Sequence, residues 1–268
     1  MKVCLIKLGG SLITDKAKLD TLRPEIIHQV AQEITDIIQL RKDLRVILLN
    51  GNGSIGHPIA KKYRISQGFD GANTFGFCLL QRTTTQLNQI IVNALLEHNV
   101  PAIGFQPSTL FWAENMNYYH LNLNIFEQLL EKKIVPVLYG DGVIDQEQGF
   151  NIISSDHLLI LIAKYLDNKR KYEIEKVVNL GDYDGILDNQ GELIEEINNF
   201  NYDSLKPCIK ESEHLDVSGG MANKIQALFE LAHLGHESWI MNGGKKNNLK
   251  NLILNKQFVG TKICWLPT

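Results

Sequence analysis

Short apolar segments that end in glycine turns alternate with helix-like patterns along almost the whole chain. The apolar segments span 3–6, 45–49, 102–105, 135–139, 177–180 and 239–241. Helical periodicity marks 24–40, 75–98, 125–133, 157–165 and the segment that carries Lys224. This alternation favours an α/β fold with a mainly parallel sheet covered on both faces. Ligands of such folds bind at the carboxyl ends of the strands, so the glycine turns mark the candidate site.

The first glycine turn lies between two lysines. Lys7, Gly9, Gly10 and Ser11 close the first apolar segment, and Lys16 follows shortly afterwards. Backbone N–H groups with no Cβ in the way can hold a phosphate at close range, and two cations would flank the same anion. A surface turn with two solvated lysines is the alternative. Further glycine turns after later strands favour the phosphate site.

The second glycine turn matches a dinucleotide-binding pattern. Residues 51–56 read G-x-G-x-x-G after an apolar segment, and Asp70 lies about 20 residues further on. Three features argue against a nicotinamide or flavin site. Pro58 falls where the helix should be under way, Asp70 lies in a loop-like segment, and the first strand already carries a phosphate loop. We therefore disfavour the dinucleotide hypothesis.

Composition and charge exclude several classes of protein. The 268 residues are 44% apolar and carry a formal net charge of −3 without a long basic run, so no nucleic-acid partner is expected. No apolar stretch approaches the roughly 20 residues that span a bilayer. The four cysteines lie far apart, without a C-x-x-C pair. We expect a cytoplasmic protein with reduced thiols, no membrane segment and no protein-built metal site.

Six short motifs occur in order along the chain. They are K-L-G-G-S at 7–11 with Lys16, G-S-I-G-H at 53–57, Y-G-D at 139–141, I-S-S-D at 153–156, D-Y-D-G at 182–185, and D-V-S-G-G-M at 216–221 with Lys224. The series resembles the amino-acid kinase superfamily and, within it, the isopentenyl phosphate kinases. The likeness covers about residues 3–263. His57 discriminates most, because isopentenyl phosphate kinases and the related fosfomycin kinases share it.

The resemblance implies a fold, a reaction and an assembly. It implies one domain with a three-layer αβα sandwich, in which about residues 1–153 hold the phosphoryl acceptor and about 154–268 hold ATP. ATP with Mg²⁺ would be the donor, and isopentenyl phosphate the acceptor. Members of the family usually form homodimers, so a homodimer is expected here as well.

The resemblance also implies a role for each motif residue. Lys7, Gly9, Gly10 and Ser11 would line the transferring phosphates, and Lys16 would stabilise the moving phosphoryl group. Asp182, Gly219, Gly220 and Lys224 would lie at the nucleotide, while Asp156 would orient Lys7 and Lys224. The acceptor would meet Asn52, Gly53, Gly56, His57 and Ser155, with Gly53 between donor and acceptor.

The expected chemistry asks for alignment and charge neutralisation rather than covalent work by the protein. A phosphate monoester has a second pKa of about 6, so the acceptor arrives largely as a dianion and needs no general base. His57 then acts as a hydrogen-bond donor to an acceptor oxygen. The alternative for His57 is a structural bond within its turn.

Three departures from the isopentenyl phosphate kinase pattern leave the acceptor open. Asn52 stands where a small residue is usual, Ser155 replaces a glycine, and Gly181 replaces a threonine. A more polar pocket would favour another small phosphate or a phosphonate such as fosfomycin. A non-catalytic, anion-binding member of the fold is a third possibility.

Other polar residues in these motifs are expected to be structural. Asp184 is assigned to a tight turn, and Asp141 and Asp145 to a strand end and a hairpin. For the apolar stripe of Phe75, Phe77, Leu79 and Leu80, plain core and a wall for the acceptor's tail are equally favoured.

Overall fold

The computed structural model of the chain describes residues 1–15, 21–208 and 220–267. Its helices are α1 (Gly10–Ile13), α2 (Pro24–Leu40), α3 (Gly53–Lys62), α4 (Thr74–Glu97), α5 (Asn124–Glu131), α6 (Ser155–Asn168), α7 (Tyr202–Leu205), α8 (Gly220–His233) and α9 (Asn248–Ile253). Among the described residues, no helix is both long and apolar enough to cross a membrane.

The strands form one large sheet and two small ones. They are β1 (Lys2–Leu8), β2 (Leu44–Asn50), β3 (Ala102–Gly104), β4 (Phe111–Glu114), β5 (Asn117–His120), β6 (Val135–Tyr139), β7 (Asp141–Asp145), β8 (Gly149–Ile153), β9 (Glu173–Gly181), β10 (Ile186–Leu187), β11 (Leu193–Ile194), β12 (Glu196–Ile197), β13 (Ser238–Asn242) and β14 (Thr261–Ile263). The large sheet has the order β12-β14-β13-β9-β1-β2-β6-β3, the smaller ones β5-β4-β7-β8 and β10-β11.

The large sheet is mainly parallel, as the alternating pattern predicts. Strands β13, β9, β1, β2, β6 and β3 pair in parallel, and among the described residues only the β13–β14 pair within this sheet is antiparallel. The strand β1 lies between β2 and β9. The parallel strands therefore end at one edge of the sheet, where their carboxyl termini gather.

Helices cover both faces of this sheet. Alternate residues of β1 enter two separate apolar cores because successive side chains of a strand point to opposite faces. Val3 and Leu5 pack in one core with residues of α5, α6 and α8. Cys4 and Ile6 pack in the other with residues of α2, α4 and α9. The result is the expected three-layer sandwich.

The sequence patterns predicted the long elements well and one helix wrongly. Helix α3 runs from Gly53 through Pro58, although Pro58 was expected to argue against a helix there. Proline withdraws the amide that would bond the Ser54 carbonyl, and the helix continues past it to Lys62. The loop position of Asp70 is confirmed. Its carboxylate accepts from the amides of Ala72 and Asn73, at 2.8 and 2.9 Å, just before α4.

Candidate active site

Two glycine turns touch at the carboxyl edge of the sheet. A Cβ on Gly10 would lie 2.2 Å from the amide nitrogen of Gly53, and one on Gly51 would lie 2.8 Å from the amide nitrogen of Gly10. Gly53 also has a φ of +51°, which a residue with a side chain rarely adopts. Only glycine permits this approach, so the sequence brings the starts of α1 and α3 together.

Thr14 fastens the two turns to each other. Its buried hydroxyl donates to the Gly10 carbonyl (2.8 Å) and accepts from the Ser54 amide (3.0 Å). One side chain thus serves a group on each side of the contact. The sequence alone does not indicate this role of Thr14, because a lone threonine after a turn gives no signal of a partner 40 residues away.

Lys7 is a buried cation paired with a carboxylate from the other half of the chain. It is 4% exposed on β1, and its Nζ lies 2.5 Å from Oδ1 of Asp156. Asp156 stands in the first turn of α6, where the Ser154 hydroxyl caps the helix by accepting from the His157 amide (3.1 Å). A buried ammonium needs such a partner, since desolvation without one is costly.

Asn52 links the second turn to the start of α6. Its Nδ2 donates to the Gly140 carbonyl at 2.7 Å. A Cβ on Gly140 would lie 3.2 Å from that Nδ2 and 3.5 Å from the Ser155 amide nitrogen. Within the described residues, Oδ1 of Asn52 and Oγ of Ser54 are buried without a hydrogen-bond partner. Buried orphans of this kind indicate a place where a ligand or water supplies the missing bond.

The carboxyl end of β9 lies against the first glycine turn. The Gly9 amide donates to the Leu180 carbonyl at 2.7 Å. Gly181 follows in the strand, and the phenol of Tyr183 accepts a hydrogen bond from Nζ of Lys224 on α8. Gly181, Tyr183 and Lys224 therefore lie at the same edge of the sheet as the first glycine turn.

These contacts form a continuous chain around one edge of the fold. They run from Lys7 and Asp156 to Ser155, Gly140, Asn52, Gly53 and Gly10, and from Gly9 through Gly181 and Tyr183 to Lys224. Three helices of the site, α3, α6 and α8, also begin at Gly53, Ser155 and Gly220. Their amino termini carry positive partial charge, which suits phosphate groups.

The remaining predicted site residues have a position in the structure, and their roles stay predictions. Ser11 lies partly exposed in α1, Gly56 is buried with its Cα close to Asn52, and His57 is partly buried on α3. Asp182 is exposed directly after β9. Lys224 contacts Tyr183, and its orientation by Asp156 stays a prediction. Lys16 and Gly219 lie outside the described residues, and of Gly220 only the backbone is described.

The aspartates expected to be structural make structural contacts. Asp184 binds Nζ of Lys245 (2.6 Å) and Nδ2 of Asn242 (3.0 Å). Asp145 accepts from four backbone amides, those of Asn115, Met116, Glu147 and Gln148, and its pKa is lowered to about 2. Asp141 is fully buried, and burial raises its pKa to about 6.

The apolar stripe on α4 divides between core and surface. Phe77 and Leu80 are buried in a small cluster with Ala60, Ile65 and Phe150, and the rings of Phe77 and Phe150 stack at 4.1 Å. Phe75 is 69% exposed. This cluster lies between α3, α4 and β8, the elements that frame Asn52 and Ser155.

Comparisons with known proteins agree with this geometry. Residues 2–242 match the model of the amino acid kinase family. Isopentenyl phosphate kinases from Methanocaldococcus jannaschii and Methanothermobacter thermautotrophicus are each 31% identical to the chain. The alignments cover 97% of this chain in both cases, and 97% and 98% of those proteins. An X-ray structure of isopentenyl phosphate kinase superposes with a TM-score of 0.80 at 29% identity, covering 97% of this chain and 100% of that one.

Proposed function

Because the chain belongs to the amino acid kinase family, we propose that it transfers the γ-phosphoryl group of ATP to isopentenyl phosphate, giving isopentenyl diphosphate and ADP. One observation carries the proposal: the touching turns at Gly10 and Gly53 stand beside the buried Lys7–Asp156 pair. The names of the relatives supply the acceptor.

The proposed mechanism uses the residues of this edge for alignment and charge neutralisation. Lys7, Lys16 and Lys224 supply cations to the phosphates, and the amides of Gly9, Gly10, Ser11 and Gly53 supply hydrogen bonds. Asp182, Gly219 and Gly220 complete the nucleotide side, and Asp156 fixes the ammonium of Lys7. This division needs no proton acceptor, since the acceptor phosphate is already largely a dianion at neutral pH.

We propose that the acceptor phosphate binds beside α3. His57 donates to one of its oxygens, with Gly53, Gly56, Asn52 and Ser155 around it. The apolar cluster of Phe77, Leu80 and Phe150, flanked by partly buried Ile59 and Ile152, supports a place for a short hydrocarbon tail on the same side. A polar head and an apolar tail would then meet matching surfaces.

Magnesium fits this site as an ion that arrives with ATP. The described residues contain no group of three His, Cys, Asp or Glu side chains able to hold a metal. Mg²⁺ prefers oxygen ligands and is commonly held by substrate phosphates with few protein ligands. When bound, it would neutralise part of the phosphate charge.

The sheet order supports two separate substrate-binding portions within one domain. The strands β2, β6 and β3 lie on one side of β1, and β9, β13, β14 and β12 on the other. We propose that about residues 1–153 hold the acceptor and about 154–268 hold ATP. The loop after β1 would then face both substrates.

A substrate panel tests the proposed function. ADP release is measured with isopentenyl phosphate, dimethylallyl phosphate, other small phosphate monoesters and fosfomycin, and mass spectrometry identifies each product. We expect the highest kcat/KM with isopentenyl phosphate. No turnover with any acceptor would contradict the proposal and favour a non-catalytic anion-binding protein.

A second candidate acceptor is a small polar phosphate or a phosphonate. The observation in its favour is Asn52, whose Oδ1 is buried without a partner among the described residues. A donor on a polar acceptor could satisfy that oxygen, whereas a prenyl tail could not. The same panel decides, because this candidate requires a higher kcat/KM with a hydroxylated phosphate or phosphonate than with isopentenyl phosphate.

We further propose a homodimer in a reducing compartment such as the cytoplasm. The strand β3 is the last strand at one end of the large sheet, and Ile103 on it and Ile90 and Leu96 on α4 are exposed apolar residues. Exposed edges and apolar residues are features of surfaces that pair with another chain. Sedimentation equilibrium should give twice the chain mass if the homodimer forms.

The proposed compartment is supported by Cys78, which is an exposed free thiol.

A further inference from the structure

The ring of Tyr183 lies directly over the backbone of Gly181. A Cβ on Gly181 would lie 2.5, 2.7 and 2.9 Å from three ring atoms of Tyr183, and these are its three nearest neighbours. No side chain can stand at 181 while the ring keeps this position. The two residues are therefore matched, with the glycine leaving the space that the phenol ring fills.

Tyr183 also holds the side chain of Lys224. The phenol oxygen accepts a hydrogen bond from Nζ, and the ammonium nitrogen lies 5.0 Å from the ring centroid. The hydroxyl therefore stands between the ring and the ammonium, and the hydrogen bond is the contact that Tyr183 makes with this group.

The position of this contact is close to the candidate phosphate turn. Tyr183 follows β9 by two residues, and β9 contacts the Gly9 turn through the Leu180 carbonyl. Lys224 reaches this edge of the sheet from α8. A lysine side chain has many rotamers, and fixing them during binding weakens the complex. A residue that fixes them beforehand increases affinity.

We propose that Tyr183 is a positioning residue, which holds the ammonium of Lys224 at the nucleotide side of the site before ATP binds. Gly181 is part of the same device, because it provides the space for the ring. The inference rests on the proposed function in one respect, namely that the ligand met by Lys224 is a nucleotide. It adds Tyr183 and Gly181 to the residues that determine nucleotide affinity.

The test measures nucleotide binding without any acceptor. Mg²⁺-ADP and a non-hydrolysable ATP analogue are titrated into the full chain by calorimetry. Tyr183→Phe keeps the ring but removes the hydroxyl, and we expect binding weaker by about 3- to 10-fold. Tyr183→Ala removes the ring together with the hydroxyl, and we expect a loss of binding at least as large. In turnover, KM for ATP should rise while KM for the acceptor stays within about twofold.

Tyr202→Phe is the matched control. Tyr202 also packs against α8, with its ring centroid 4.5 Å from that of Phe229. If Tyr183→Phe weakened nucleotide binding merely because a tyrosine beside α8 lost its hydroxyl, Tyr202→Phe would weaken binding as well. We expect its nucleotide affinity to equal that of the wild type.

Gly181→Ala supplies a second, independent variant. Its Cβ should displace the ring of Tyr183 and weaken nucleotide binding about as much as Tyr183→Phe. In a Tyr183→Ala background the same substitution should have almost no effect, because the ring that it displaces is gone. Such non-additivity is what a direct contact between the two positions requires.

The outcomes separate the two proposals. Wild-type protein that binds no nucleotide would contradict the proposed function, and this inference with it. If wild type binds and Tyr183→Phe, Tyr183→Ala and Gly181→Ala bind equally well, only the role of Tyr183 is wrong. Lower thermal stability with unchanged nucleotide affinity would likewise assign Tyr183 a structural role and overturn the inference.

Discussion

Lys7 shows at the scale of one residue how the fold prepares a charged site. It is 4% exposed on a central strand, and its carboxylate partner Asp156 has a side chain that is 20% exposed. Removing one member of a buried ion pair leaves the other charge desolvated, which costs more than the pair contributes. The stability of the fold therefore depends on Asp156 as well as on the apolar core.

Asp156→Asn should lower both stability and turnover. We expect a loss of roughly 2–3 kcal/mol in the free energy of unfolding, because the buried ammonium of Lys7 loses the carboxylate that it contacts. Urea denaturation measures it. Glu230→Gln is the control, since Glu230 binds Lys164 at 2.6 Å with both side chains about half exposed, and exposed pairs contribute little. Equal effects of the two substitutions would contradict burial as the cause.

Asp141 should make stability depend on pH. Burial raises its pKa from 3.8 to about 6, so between these values the native protein binds more protons than the unfolded chain. Its contribution therefore falls as pH rises through about 4 to 6. Asparagine lacks this dependence. The free energy of unfolding of Asp141→Asn minus that of wild type should therefore increase by about 2 kcal/mol as the pH rises from 4.5 to 7.5.

Asp145→Asn is the matched control for this pH dependence. Asp145 is also buried, but its pKa is lowered to about 2, so any stability it adds is lost only at lower pH. Its substitution should cost nearly the same stability at pH 4.5 and pH 7.5. A constant difference between Asp141→Asn and wild type across this range would refute the raised pKa.

Residue types in a motif reveal charge but not the partners that lie far away in the chain. The sequence patterns identified Lys7 and Asp156, and the structure pairs them. Thr14 and Tyr183 carried no recognisable signal, because their importance arises from contacts with Ser54 and Lys224. The sequence shows that Gly181 replaces the threonine usual in isopentenyl phosphate kinases, but the consequence depends on where the ring of Tyr183 lies.

At the scale of elements, the close approach of α1 and α3 is the feature on which the proposed phosphate site depends. It requires Gly10 and Gly53 to lie in direct backbone contact. Gly10→Ala would place a Cβ 2.2 Å from the Gly53 nitrogen and push the helix starts apart. A displacement of about 1 Å can reduce a phosphoryl-transfer rate about 100-fold, so we expect kcat/KM to fall at least that far.

Gly235→Ala controls for a loss of stability without a loss of geometry. Gly235 has a φ of +93° and open space around its Cα, so alanine there causes backbone strain but no clash. We expect about 1 kcal/mol of destabilisation and normal kcat/KM. If Gly10→Ala kept wild-type activity, the two helix starts would not form the phosphate site.

Elements differ in how well their patterns predict them. The helix at Pro24–Leu40 was predicted to the residue, since proline opens it and its apolar residues recur with helical spacing. The short strands β4, β5, β10, β11, β12 and β14 and the helix α9 were missed. Each has six residues or fewer, too few for a period to emerge. Helix α3 was missed because glycine and proline mask its pattern.

At the scale of the whole molecule, the central strand joins the two proposed lobes. The strand β1 pairs along its whole length with β2 on one side and β9 on the other. Helix α6, the first helix of the second proposed lobe, contributes Leu158 and Leu159 to a core shared with Val3 and Val177. Neither portion retains an intact core without the other, so the chain should unfold as one unit.

Two tryptophans allow this cooperativity to be measured. Trp112 lies on β4 in the first portion, and Trp239 is buried on β13 in the second. Trp265, the third tryptophan, is replaced as well, and variants that keep only Trp112 or only Trp239 are unfolded in urea while fluorescence is compared with circular dichroism. We expect coincident transitions for both probes, as two-state unfolding requires. A separate, earlier transition at either tryptophan would show that one portion folds on its own, and the shared core would then not bind the lobes into one unit.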